Sequence, residues 1–167
     1  TSEKYENQVL AKLNVADPEA NEFIIPVPWF YPEESTDPTS IHMTRVRLEA
    51  ELAPNCRIDP PLAMVDLTEE NYYTFTNAQG ESREIMITGK RTKSAKCNLM
   101  TFTLTKPYQI EGFIDDDKKE VYLFTTDDLN GFSGEATVCA HATLQTDLTV
   151  KKNYNNEQEV TVMAQDE

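Results

Sequence analysis

The chain has 167 residues, 39% of them hydrophobic and 26% charged, so its apolar material suits short alternating strands around two thin cores better than one thick core. Its 29 acidic against 15 basic residues give a net charge of −14, which repels phosphate backbones and anionic lipid surfaces and argues against a nucleic-acid partner. No stretch approaches the ~20 apolar residues that cross a bilayer as a helix, and a start at Thr1-Ser2-Glu3 without Met fits a mature or trimmed fragment whose export signal has been removed, as it equally fits a domain cut from a longer chain.

In chain order, the first predicted element is a strand over residues 11–15, where Ala11, Leu13 and Val15 alternate with polar neighbours. Residues 23–29 read as a second strand, demoted to an edge or bulge because Pro26 and Pro28 cannot donate to a ladder. Over residues 46–52, Val46, Leu48, Ala50 and Leu52 share one face and the charges share the other. Asp66 is placed to cap a single helical turn over residues 66–71. A strand at 73–76, a tight turn at 77–80 and a closing strand at 85–88 follow.

The basic, polar stretch 91–96 lacks apolar periodicity and reads as a linker. It sets a first module of residues 1–92 and a second of residues 93–167. The second opens with a strand at 100–104. Ile110, Gly112 and Ile114 then alternate into a polar turn at 115–119, and the chain returns through Val121 and Leu123, the pattern of a hairpin. Residues 136–144 alternate again, with His141 on the outward face, and a last strand covers 160–163.

Three strands recur in the same order at a spacing of about 86 to 89 residues, as an internal duplication would place them. Together with turn chemistry every ~8–12 residues, this predicts an all-β chain of two tandem immunoglobulin-like β-sandwich modules. The second stops at residues 164–167, where the first enters its turn. It is therefore expected to lack its last strand, either because the sequence is a fragment of a longer protein or because the missing edge is supplied from elsewhere, an open edge inviting strand addition.

The phrases Arg57-Ile58-Asp59-Pro60-Pro61, Asp66-Leu67-Thr68 and the run 73–81 resemble uncharacterised immunoglobulin-like repeats of Bacteroidetes surface lipoproteins. Residues 110–115 and 160–166 are similar to another copy. The resemblance covers about residues 8–167 and rests on turn and strand motifs. It implies a protein exported to the outer-membrane surface, often beside machinery for glycan capture, with a lipid anchor lying before Thr1 as its membrane attachment. It implies no catalytic residues.

Cys56, Cys97 and Cys139 show neither CxxC spacing nor a His pair, which argues against zinc, and their odd number argues against a disulfide framework. His42 and His141 fall in different modules without a nucleophile beside either and read as ordinary loop or strand histidines. Asp115, Asp116 and Asp117, with Asp127 and Asp128, carry the oxygens a calcium ion needs, but lack EF-hand order and read as a solvated turn. No metal, cofactor or enzymatic activity is expected.

The remaining candidate is aromatic. Trp29 and Tyr31, with Tyr72, could form a platform that stacks on sugar rings, or Trp29 could plug the core or an interdomain contact. Two functions follow: a non-catalytic spacer pair of an exported cell-surface protein, or a glycan- or protein-binding surface module built around Trp29.

Overall fold

A computed structural model describes residues 8–166, and the chain divides into two compact units, Thr1–Lys93 and Ser94–Glu167. The chain is all-β. Among the described residues the one regular helical element is a single 3-10 turn, Thr39–His42, and no helix is long and apolar enough to cross a membrane.

The first unit contains β1 (Glu22–Pro28), β2 (Val46–Arg47), β3 (Arg57–Asp59), β4 (Met64–Val65), β5 (Asn71–Thr76) and β6 (Ser82–Thr92). A four-stranded sheet has the order β1-β6-β5-β3, and β2 pairs with β4 in a separate ribbon. Tyr73, Ile85, Ile87 and Val27 from the sheet pack against Val46, Leu48, Leu67 and Met43. This is a small sandwich, and its burial of apolar area is what holds two short-stranded layers together.

The strand carrying Pro26 and Pro28 does lie at a sheet edge, paired on one side only. It runs parallel to β6 through seven register pairs, Glu22↔Met86 to Pro28↔Thr92. The turn at 77–80 is built on Asn77, whose Oδ1 accepts from the backbone N–H groups of Gln79 and Glu81, with Gly80 at φ +85°. That conformation favours glycine.

Three expected elements differ. Residues 11–15 form no strand: Leu10 is buried and Ala11 packs on the core, but Val15 is exposed, and the place beside β6 is taken by β1. The strand over 46–52 is shorter than expected: β2 ends at Arg47, the chain runs on outside any strand to a turn at Pro54-Asn55, with Asn55 at φ 64°, and Ala50 and Leu52 are exposed. The helical turn at 66–71 is instead an Asx turn, in which Asp66 Oδ1 accepts from Thr68 N at 2.8 Å and from the Thr68 hydroxyl. Short polar side chains compete with helical pairing in this way.

The second unit contains β7 (Leu99–Lys106), β8 (Ile110–Asp115), β9 (Glu120–Leu123), β10 (Asn130–Val138), β11 (Thr143–Leu144), β12 (Lys152–Asn153) and β13 (Val162–Met163). Its larger sheet has the order β12-β10-β7-β8-β9, and β11 pairs with β13. Phe102, Leu104, Leu129, Phe132 and Leu148 form the core, flanked by Ile114, Val121, Leu123 and Val160. The β8–β9 hairpin appears where alternation placed it, with Gly112↔Leu123 and Ile114↔Val121 in register.

Residues 136–144 are not one strand. The chain turns between β10 and β11, where Ala142 N donates to Cys139 O and His141 sits at φ 65°. The expected strand-by-strand duplication does not extend to topology either. The first unit's sheet contains a parallel pair, whereas every pairing in the second is antiparallel. The spacing near 87 residues thus reflects shared β patterning rather than shared strand order.

Candidate functional site

Trp29 follows β1 directly and is locked through its backbone. Its N–H donates to Thr92 O at 2.9 Å, and its carbonyl accepts from Thr39 N at 3.1 Å and Arg91 Nη2 at 2.9 Å. Thr39, fully buried, adds a hydroxyl bond to Pro28 O. Arg91 also lays its guanidinium over the indole, 3.8 Å from the ring centroid, with Lys93 Nζ at 5.9 Å. The stacked guanidinium covers one face of the indole.

Tyr31 is half-buried against the first core, and its hydroxyl donates to Gln8 Oε1 at 2.9 Å. Tyr72 is exposed on β5, its hydroxyl bonded to Glu70 Oε2, which raises its pKa. Its register partner is Met86, six residues along β6 from Thr92, the partner of Trp29 N. At ~3.3 Å per residue that is roughly 20 Å along the strand. The three expected platform residues therefore do not form one surface: Trp29 and Tyr31 serve the fold, and Tyr72 stands apart.

The acidic turn of the second unit is held by its own contacts. Asp115 accepts from Lys118 N at 3.2 Å and pairs with Lys118 Nζ at 3.4 Å. Asp127 accepts from the Tyr108 hydroxyl at 2.8 Å, and Asp128 accepts from Asn155 Nδ2 at 2.6 Å. Among the described residues no group of three His, Cys, Asp or Glu side chains is arranged to hold a metal ion. His42 lies 3.7 Å from Asp37, and His141 occupies its turn.

The β8–β9 hairpin carries a surface that the sequence reading passed over. Phe113 and Phe124 are exposed, and Tyr122 is directly opposite Phe113 in register. Tyr122 and Phe124 stack with centroids 6.2 Å apart and planes at 22°, while Phe113 and Phe124 are 6.5 Å apart. The signal was present in the alternation: Ile114, Val121 and Leu123 face inward, so Phe113, Tyr122 and Phe124 face out.

On the inner side of the same hairpin lies a half-open cleft of about 700 Å³ between β9 and the segment 154–162. Its apolar wall includes Phe102, Ile114, Val121, Leu123 and Val160, and its rim includes Asp115, Asp116, Lys119, Glu120 and Glu157. Tyr154 lines it, edge-on to Phe102 at 6.3 Å. Among the described residues the shielded Tyr154 hydroxyl has no hydrogen-bond partner, and burial pushes its pKa above the usual phenol value.

Two thin β-sandwiches, with their aromatic and cleft surfaces on one hairpin, define an all-β modular chain. Residues 1–89 match the family model described as "Domain of unknown function (DUF5018)", more than half of the chain, and the chain belongs to that family. Residues 99–167 match a second model, "Domain of unknown function (DUF8499)". No curated protein matches the chain. One similar solved structure is that of a proposed glycoside hydrolase from Bacteroides thetaiotaomicron, 24% identical with a TM-score of 0.33, covering 60% of this chain and 27% of that one. The chain thus spans about a quarter of that protein's length.

Proposed function

We propose that the chain is a non-catalytic structural pair, a spacer within an exported cell-surface protein of the Bacteroidetes lipoprotein kind. The observation that carries this reading is the state of Trp29, whose ring is stacked by Arg91 and whose carbonyl closes the segment after β1. Other polar side chains are spent likewise: Asp66, Asn77, Asp115 and Asn153 all accept backbone N–H groups of turns. Side chains committed to turns and edges maintain shape.

The spacer reading predicts that Trp29→Ala lowers the unfolding free energy by about 2–3 kcal/mol, as expected for a half-buried aromatic. Retention of the still-folded variant on glycan affinity gels should equal that of the wild type. Selective loss of retention at undiminished stability would reject the reading. Surface placement is checked by adding protease to intact cells of the native host, which should remove the protein.

A second reading is favoured by Phe113 and Phe124, exposed and clustered with the half-buried Tyr122 on one face of the hairpin. It makes the second unit a binding module for a glycan or protein, with its contact area on the hairpin rather than at Trp29. On a glycan array, any retained ligand should be lost when Phe113 and Phe124 are both replaced by Ala.

A further inference from the structure

We propose that the second unit captures an extended basic peptide, which adds as a strand to the free edge of β9 and lays alternate side chains into the adjoining cleft. β9 ends its sheet and is paired through β8 alone. Glu120, Val121, Tyr122 and Leu123, the whole of the strand, line the cleft. Its lining also takes in Phe102 of β7 and Ile114 of β8, so the cleft crosses the sheet's inner face and, by touching Tyr122 as well as Val121 and Leu123, reaches the outer edge of β9. Among the described residues, 120–123 make no backbone hydrogen bond beyond those to β8.

An edge of unpaired N–H and C=O groups beside an apolar trough is the arrangement that strand addition uses. Main-chain bonds supply affinity, and every second side chain is read by the trough. Here Ile114, Val121, Leu123 and Val160 offer the trough to β-branched or other aliphatic side chains. A peptide carbonyl is also the kind of acceptor that the Tyr154 hydroxyl lacks.

Charge selects the partner. The rim carries Asp115, Asp116, Glu120 and Glu157 against Lys119, and among the described residues neither Asp116 nor Glu157 forms an ion pair. An acidic rim on a chain of net charge −14 attracts a lysine- or arginine-bearing segment and repels a second copy of the chain. This names a partner for the binding reading and rests on that reading's placement of the contact in the second unit. It uses the strand edge, however, and not the outward aromatics.

The probe is a blocked peptide of alternating lysine and valine, about seven residues long to overlap β9 fully. Its control has N-methylated valines, which keep charge and side chains but remove one edge of N–H donors. With the full chain at physiological salt, the unmethylated peptide should bind about tenfold more tightly. It should slow amide hydrogen exchange at Glu120–Leu123, and replacing Asp116 and Glu157 together by Lys should weaken it by about tenfold. Equal binding of the two peptides would reduce the contact to charge adsorption and overturn the proposal. So would protection confined to other residues, or no binding at roughly millimolar peptide. Protection of Glu120–Leu123 by cellohexaose but not by the peptide would make the cleft a sugar site instead. Replacing Phe113 and Phe124 by Ala separates the readings, since it should leave peptide binding intact while removing any ligand held by the outward aromatics.

Discussion

Arg91 ties the end of β6 to Trp29 twice, through the indole face at 3.8 Å and the carbonyl at 2.9 Å. Arg91→Ala should cost about 1–2 kcal/mol, read as a lower urea midpoint at unchanged slope. Arg91→Lys should recover only part, because an ammonium lacks the planar fork that stacks and bonds at once. This pair lies 62 residues apart in sequence, so local reading could find the tryptophan but not its cover. Tyr154 makes the opposite case, a hydroxyl held out of water without an acceptor. Tyr154→Phe should leave stability unchanged or raise it by up to about 1 kcal/mol. With its folded pKa raised by burial, the folded state disfavours the Tyr154 phenolate, so stability is full below the ordinary phenol value of about 10 and falls as pH rises from there through the folded value. Urea titrations from neutral to strongly alkaline pH should therefore show a steeper loss in wild type than in Tyr154→Phe.

Strands were legible where alternation, length and a bounding turn agreed. The β8–β9 hairpin has all three, and the edge position of β1 followed from Pro26 and Pro28, which no central strand tolerates. Residues 11–15, 46–52 and 136–144 also alternate, but alternation reports which side chains can face a core, not whether a neighbouring strand is free to pair. One of these runs is cut short near His141, whose positive φ no glycine announces, and another leaves its strand after Arg47, well before the turn at Asn55. The candidate site was half legible for a related reason. The outward direction of Phe113 follows from period two, whereas the cleft depends on segment 154–162 crossing the sheet's inner face. Gly112 shows how tightly that hairpin is set: a Cβ there would lie 2.7 Å from Val121 Cγ1 and 3.1 Å from Phe102. Gly112→Ala should destabilise the second unit by about 1–3 kcal/mol through overpacking, measured as a lower Tm.

At the scale of the molecule, two separate cores hold the chain, Val27 with Leu67 and Tyr73 in one and Phe132 with Leu104 in the other. Residues 1–93 and 94–167 expressed apart should therefore each give the dispersed amide spectrum of a folded unit. An aggregated or undispersed fragment would show that its core is not self-sufficient. The parallel pairing of β1 with β6 has a mechanical consequence. Glu22 at the start of β1 lies beside Met86, and Thr92 at the end of β6 lies beside Pro28, so tension entering at one end and leaving at the other pulls the two strands lengthwise past each other. Their ladder is then loaded in shear, all its rungs resisting together. In the second unit, tension leaving past Met163 meets the two register pairs of β11 and β13 and the neighbouring bond from Gln145 N–H to Thr161 O, a short ladder that can peel in turn. Stretched in an optical trap or by a cantilever, the second unit should yield first and the first should hold to a higher force.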